Sequence, residues 1–201
     1  MSVLRTKMAV ICVIAAAANN LAAQTSPPPV AATRQEKKTV LKKHAIGNIH
    51  PLHVWGDIYL AGQPTPEDLA RLQALGIKTI INLRRSQETP WDEAALVKRL
   101  GMRYVHAPFQ GPRELKPEVF DQVLQVLRDR RQRPLMLHCA SSNRVGAMWY
   151  AYRVLDGRLL PNQAMKEAQI VGLRTPEYLL KAQAYVESVQ QAEAASKTTP
   201  K

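Results

Sequence analysis

The chain has 201 residues, of which 46% are hydrophobic, so it is long and apolar enough to bury the core of one ordinary domain. This composition excludes a chain that is disordered throughout and a fibrous protein. With 28 Lys and Arg against 16 Asp and Glu, the formal net charge is +12. Such a charge favours anionic partners such as phosphates, nucleic acid or acidic lipid, but it does not indicate an activity.

Residues 1–23 have the pattern of a secretory signal peptide. Two cations precede an apolar run, and small residues follow the run near Ala23. The run is too short to span a bilayer, although an uncleaved anchor stays open as an alternative. We therefore expect an exported domain, periplasmic or secreted, with no stable membrane span after cleavage. Its only remaining cysteine would be Cys139, which excludes an intramolecular disulfide.

The remaining chain divides by composition. Prolines and like charges in residues 24–46 predict a flexible linker, because such a segment cannot bury a core. Residues 47–185 are the predicted folded domain. Residues 186–201 are small and polar and are predicted to be a disordered tail. The sequence contains no internal repeat, so we expect a single domain.

Short apolar strands alternate with helices inside the predicted domain. Thr65 and Pro66 predict the start of a helix and Gly76 its end. Residues 78–83 are apolar without alternation, as expected of a strand covered on both faces. We therefore predict an α/β fold with a parallel central sheet of about four strands, flanked by helices and followed by a helical C-terminal region. The predicted strands are residues 57–61, 78–83, 103–107 and 135–138, and the predicted helices begin near residues 66, 92 and 117.

The stretch "PLMLHCASSNRVGAMW", residues 134–149, ends a buried strand on a thiol. Ligands bind at the carboxyl ends of parallel strands, and Cys139 falls at such an end. Arg144 lies in the first turn of the next predicted helix, where it can clamp an oxyanion through two hydrogen bonds. The same positive field stabilises a thiolate, which is the nucleophilic form of cysteine. The loop between them supplies amides for an anion cradle and consists of Ala140, Ser141, Ser142 and Asn143.

The motif "HCASSNR" resembles the His-Cys to Arg signature loop of the protein tyrosine phosphatase superfamily. More narrowly, the chain resembles the small bacterial dual-specificity-phosphatase-like domains that also occur fused to NAD kinase and to beta-lactamase-like hydrolases. The similarity includes "YLAGQPTPEDLARLQALGIKTIINLR" and "GMRYVHAPF" and covers roughly residues 55–175. The resemblance implies a phosphatase-like fold and hydrolysis of phosphate monoesters through a phosphocysteine intermediate. In that mechanism Cys139 is the nucleophile, Arg144 and the amides of residues 140–143 bind the phosphoryl oxygens, and His138 supports the cysteine.

Three departures from the family pattern keep alternatives open. Only four residues separate Cys139 from Arg144, where the usual phosphatase loop has five, and Val145 stands where many phosphatases have Ser or Thr. The general acid is unknown, because the region "HAPFQGPRELKPE" offers Phe109, Gln110 and Gly111 before it reaches the candidate Glu114. A rhodanese-like sulfurtransferase that carries a persulfide on Cys139 is therefore the first alternative. A non-catalytic module that binds phosphate or another anion is the second.

Other charged residues are assigned lesser roles. Arg84 and Arg85 follow a predicted strand at its carboxyl end, so they are possible rim contacts to substrate. Arg174 is given less weight, and the arginines between 128 and 133 are explained by a helix C-terminus, so no nucleic-acid site is predicted. The histidines show no metal-ligand spacing, and we predict no metal and no cofactor. The expected partner is an anionic substrate, either a phosphorylated protein or a small phosphate ester; the oligomeric state is not predicted.

Overall fold

The structure, a computed structural model, describes residues 39–198. The predicted signal peptide, residues 1–23, and most of the predicted linker lie outside the described residues. Within residues 39–198, no helix is both long enough and apolar enough to cross a membrane.

A six-stranded sheet forms the centre of the fold. The strands are β1 (Lys42–Lys43), β2 (Leu52–Trp55), β3 (Ile58–Ala61), β4 (Thr79–Asn82), β5 (Arg103–His106) and β6 (Leu135–His138). Their spatial order is β1-β2-β3-β6-β4-β5. The last four strands in this order, β3, β6, β4 and β5, are parallel, which confirms the predicted α/β fold and its central parallel sheet. Two antiparallel strands, β1 and β2, extend one edge and were not predicted.

Within residues 39–198, six α-helices accompany the sheet, and local sequence signals determine where the first two begin and end. At the start of the first helix, Thr65 Oγ1 accepts a hydrogen bond from the Asp68 amide, and the Asp68 carboxylate accepts one from the Thr65 amide. Gly76 and Gly101 follow the first two helices with φ angles of 81° and 75°. The helices are α1 (Pro66–Ala74), α2 (Glu93–Arg99), α3 (Pro117–Arg128), α4 (Asn143–Leu155), α5 (Pro161–Val171) and α6 (Pro176–Thr198).

The two faces of the sheet carry separate hydrophobic clusters. Ile80 and Met136 pack with apolar side chains of α1 and α2. Their neighbours along the strands, Ile81 and Leu137, point to the opposite face and pack with α3, α4, α5 and α6. Helix α4 is buried on every side from Arg144 to Val154. Helix α4, which follows the cysteine loop, is therefore held inside the core. This fixes the position of the loop, because the loop leads directly into the amino end of α4.

Both ends of the folded region differ from the sequence-based boundaries. Strand β1 and the buried Ile46 lie in residues 24–46, which were predicted to be a flexible linker. The end of this segment is ordered because β1 pairs with β2. Helix α6 continues through residues 186–198, where a disordered tail was expected. The buried Val186 and the partly buried Val189 pack against the core, so a few apolar side chains order a stretch whose average composition is polar.

Candidate active site

Cys139 directly follows β6 and begins the loop that leads to α4. Its side chain is buried, and its amide donates a hydrogen bond of 3.3 Å to the carbonyl of Ala61 at the end of β3. One residue later, the Ala140 carbonyl accepts a hydrogen bond of 3.3 Å from the amide of Gln63. The neighbouring strand end therefore holds the first part of the loop in place.

The middle of the loop has a backbone suited to an anion. Ser142 lies at the N-cap of α4 in the left-handed conformation, with φ 63°, and its main-chain carbonyl accepts a hydrogen bond of 3.0 Å from the Gly146 amide. A left-handed residue inside a tight turn favours a concave arrangement of successive amides. Four loop amides donate no hydrogen bond to any described residue, so they are available to an anion at the α4 N-terminus. They belong to Ala140, Ser141, Asn143 and Arg144.

A carboxylate orients the guanidinium of Arg144. Nη1 and Nη2 of Arg144 donate hydrogen bonds of 2.9 and 2.6 Å to the two carboxylate oxygens of Glu88. Nη1 also donates to the carbonyls of Leu83 and Phe109, at 3.0 and 2.8 Å. Burial alone would lower the pKa of Arg144, but contacts with Glu88 and Cys139 raise it. These four hydrogen bonds hold the guanidinium in one orientation at the end of the cysteine loop.

Glu88 is predicted to contribute to folding stability in a pH-dependent manner. Its hydrogen bonds with Arg144 lower the pKa of Glu88 from 4.5 to about 2, although burial opposes this shift. Because the folded-state pKa lies below the unfolded-state value, the stabilisation is present above pH 4.5 and is lost as the pH falls toward 2. A shift of this size corresponds to about 3 kcal/mol, and solvent screening reduces the expected effect to about 1–2 kcal/mol.

Urea unfolding at several pH values tests this prediction. Relative to the unchanged chain, Glu88→Gln is expected to lose about 1–2 kcal/mol of unfolding free energy near neutral pH, and this deficit should shrink toward about pH 3. Glu118→Gln, at an exposed position in α3, is the matched control and should show no such pH dependence. A Glu88→Gln deficit that stays constant with pH would contradict the assignment.

His138 belongs to a chain of hydrogen-bonded polar side chains, of which His138 and Glu93 are buried and Gln63 and Arg84 are half-buried. Its Nε2 lies 2.7 Å from Oε1 of Glu93, and Nε2 of Gln63 donates a hydrogen bond of 2.7 Å to Oε2 of the same carboxylate. Burial would raise the pKa of Glu93, but the contact with His138, and to a smaller extent that with Gln63, lower it. Nη1 of Arg84 donates a hydrogen bond of 2.6 Å to Gln63, and Arg84 also contacts Glu88. The imidazole therefore faces Glu93, and any direct support of Cys139 stays a prediction.

The two rim arginines differ in what they contact. Arg84 joins the polar chain just described, whereas Arg85 forms an ion pair with Glu114. The Gln110 amide donates a hydrogen bond of 2.8 Å to Oε2 of Glu114. This amide and the Arg85 guanidinium lower the pKa of Glu114. A carboxylate held in its ionised form is poorly suited to donate a proton, so in this arrangement Glu114 serves as a counter-ion.

Sequence reasoning missed Glu88, Glu93 and Gln63 and gave little weight to Arg174. Glu88 follows β4 on the carboxyl edge of the sheet, and this position was the only sequence signal that could have indicated it. Arg174 lies on the turn between α5 and α6, where its Nη2 donates a hydrogen bond of 2.5 Å to Ser141 Oγ. No cluster of three or more His, Cys, Asp or Glu side chains suited to a metal ion occurs in residues 39–198.

Comparison with known sequences identifies relatives of this site and its surroundings. Residues 38–191 match the family model described as "DSP-PTPase phosphatase fused to NAD+ Kinase". The dual specificity protein phosphatase TpbA of Pseudomonas aeruginosa is 27% identical over 130 residues, which are 64% of this chain and 57% of TpbA. A beta-lactamase hydrolase-like protein of Agrobacterium fabrum is 30% identical over 105 residues, which are 50% of this chain and 24% of that protein. The chain thus matches only part of the length of these relatives.

Solved structures show the same fold. A substituted TpbA of P. aeruginosa in complex with pTyr has a TM-score of 0.61 at 21% identity, over 82% of this chain and 99% of that one. The catalytic core of the PP-IP phosphatase Siw14 of S. cerevisiae has a TM-score of 0.57 at 18% identity, over 72% and 91% of the two chains. The family model covers most of the chain and includes the cysteine loop, Arg144 and Glu88. The chain belongs to the family of dual-specificity-type protein tyrosine phosphatase domains that is named for its fusion to NAD+ kinase.

Proposed function

We propose that this domain is a cysteine-dependent phosphatase that hydrolyses phosphate monoesters through a phosphocysteine intermediate on Cys139. The observation that carries the proposal is the two-point ion pair that orients Arg144 on the Glu88 carboxylate, at the end of a loop that begins at the buried Cys139 and whose amides are available to an anion. Membership in a phosphatase family supports the same reaction. A phosphorylated substrate also agrees with the complex of the related TpbA with pTyr.

The reaction would proceed in two displacements. In the first, the Cys139 thiolate attacks phosphorus; an S–P bond forms, the P–O ester bond breaks, and the leaving oxygen takes the electron pair and then a proton. In the second, water attacks phosphorus, the S–P bond breaks, and inorganic phosphate and the thiolate are released. The guanidinium of Arg144 has five N–H donors, of which Nε–H and one on Nη2 are not used by Glu88, Leu83 or Phe109. These donors can bind the phosphoryl oxygens.

The short loop and the polar groups around it determine which esters should react. With four residues between Cys139 and Arg144, the cradle has one amide fewer than the usual phosphatase loop. Glu114 is held ionised by Gln110 and Arg85, so the leaving oxygen would lack an efficient proton donor from this residue. The leaving group of an aryl phosphate can depart as a stable phenolate without that proton. We therefore propose aryl phosphates, including phosphotyrosine, as better substrates than alkyl phosphates.

A leaving-group series tests the proposed function. The value of kcat/KM is expected to fall at least about 10²-fold from 4-nitrophenyl phosphate to an alkyl phosphate, because the effect of a missing general acid is of that size. Cys139→Ser protein gives the background rate in every assay. The same preparation is assayed for sulfur transfer from thiosulfate to cyanide. Thiosulfate turnover faster than that of every phosphate ester would replace the proposal with the sulfurtransferase. If neither reaction exceeds the background, the loop is an anion-binding module.

A further inference from the structure

Four arginines surround the cysteine loop, and one of them differs from the others in its partners. Arg84 and Arg144 both contact the Glu88 carboxylate, and Arg85 contacts Glu114. The guanidinium of Arg174 contacts only neutral oxygens within the described part of the chain, at distances of 2.5–3.4 Å. Its positive charge is therefore not compensated by a carboxylate. These neutral partners are Ser141 Oγ and the carbonyl oxygens of Ser141 and Gly172.

Asn143 holds the turn that carries Arg174 against the loop. Its side-chain carbonyl accepts hydrogen bonds of 2.8 and 3.2 Å from the amides of Arg174 and Thr175. Its side-chain amide donates a hydrogen bond of 2.7 Å to Thr175 Oγ1. The turn also approaches the loop closely at Gly172, because a Cβ atom built there would lie 3.0 Å from the Cβ of Ser142. Arg174 is thus fixed relative to the loop, which lowers the entropic cost of using it to bind a ligand.

Arg174 lies on the solvent side of the loop, whereas Arg144 lies on its buried side. Cys139 and Arg144 are buried, Ser141 is half-buried and Arg174 is exposed. Because Ser141 Oγ accepts a hydrogen bond from Arg174, the hydroxyl hydrogen of Ser141 is free to donate to an anion. A phosphoryl group bound over Cys139 would be surrounded by Arg144 and the loop amides, and the next anionic group outward would meet Arg174 and Ser141.

We infer that Arg174 and Ser141 bind a second anionic group of the substrate, beside the phosphate that is hydrolysed. The substrate class is therefore a phosphate monoester with a further phosphate or carboxylate close to the scissile group. The inference rests on the proposed function for the position of the scissile phosphate over Cys139. Arg174 would act as a specificity residue, since it distinguishes doubly anionic from singly anionic esters.

Anion binding to the Cys139→Ser protein tests the inference without requiring turnover. Titration calorimetry compares orthophosphate with pyrophosphate, which carries a second phosphoryl group next to the first. We expect Arg174→Gln, in the same background, to weaken pyrophosphate binding about tenfold and orthophosphate binding less than about twofold. Arg131→Gln is the matched control, because it removes the same charge from an arginine that is 88% exposed and lies at the other end of β6. It should leave both affinities unchanged.

Each remaining outcome has a defined consequence. Equal weakening of both anions by Arg174→Gln would show that Arg174 acts on the scissile phosphate or on the loop itself, and this overturns the inference. No effect on either anion, or no binding of either anion to the Cys139→Ser protein at millimolar concentration, also overturns it. The thermal unfolding midpoint of each variant shows whether a loss of binding reflects a loss of folding.

Rates of ester hydrolysis, measured with protein that retains Cys139, separate this inference from the proposed function. Phenyl phosphate and 2-carboxyphenyl phosphate differ by one carboxylate. Arg174→Gln is expected to lower the ratio of kcat/KM for 2-carboxyphenyl phosphate to kcat/KM for phenyl phosphate about tenfold. If no ester is hydrolysed but pyrophosphate binding still depends on Arg174, the proposed function fails and the second anion site stands. If esters are hydrolysed with no dependence on Arg174, the phosphatase stands and the second site fails.

Discussion

Cys139→Ser is expected to reduce turnover of aryl phosphates by about four orders of magnitude or more, to the level of the uncatalysed background. A serine hydroxyl is almost entirely protonated near neutral pH, and the positive charge of Arg144 that stabilises a thiolate cannot ionise it to a useful extent. The S–P bond on which both displacements depend could then not form. Steady-state assays with 4-nitrophenyl phosphate measure the loss.

Acid quenching of the unchanged protein during turnover, followed by mass spectrometry, should find a phosphoryl group on Cys139. The Cys139→Ser protein should lack it while keeping the same circular dichroism spectrum and binding orthophosphate. These two controls distinguish loss of the nucleophile from loss of the fold. Residual turnover in Cys139→Ser within tenfold of the unchanged protein would exclude Cys139 as the nucleophile.

Arg144→Lys is expected to lower kcat/KM for aryl phosphates by about 10²–10³-fold, although it keeps the positive charge. An ammonium group has no planar fork, so it cannot hold both oxygens of Glu88 and also bind two phosphoryl oxygens. Lysine is also expected to leave the carbonyls of Leu83 and Phe109 without the donor they have now. The reaction of Cys139 with iodoacetamide at neutral pH should slow as well, because a flexible lysine does not hold its charge at the position that Glu88 and the two carbonyls fix for the guanidinium.

The matched control for Arg144→Lys is Arg131→Lys, at an exposed arginine whose partner is Asp129. It should change neither kcat/KM nor the alkylation rate. A value of kcat/KM for Arg144→Lys within threefold of the unchanged protein would mean that charge alone suffices. The geometry set by Glu88 would then have no role in the reaction.

Local patterns in the sequence were enough to predict the central fold and the position of the loop. Helix α1 begins at a Thr-Pro cap and ends before a glycine with positive φ, and both signals act within a few residues. The apolar run of β4 has the length and composition of a strand buried on both faces. Because Cys139 follows the last such strand directly, its place at the carboxyl edge of the sheet also follows from sequence.

The edge strands and the C-terminal helix could not be predicted in the same way. Strand β1 has only two residues, both lysines, and it is a strand only because β2 pairs with it. Residues 186–198 have the composition of a polar tail, and their helix continues α6, which packs on α4. In both cases the stabilising partner lies outside the segment itself, so composition within the segment carries no signal for it.

The sequence by itself determined which residues form the loop and that a cysteine and an arginine begin and end it. Only the tertiary structure decided that Glu88 orients Arg144, that His138 faces Glu93 and that Arg174 meets Ser141. These pairs are separated by 33–56 residues along the chain. Each arises because the sheet brings several strand ends to one edge and α4 brings the turn before α6 to the same place. Charge pairing depends on distance in space, and the sequence positions of two charges do not determine that distance.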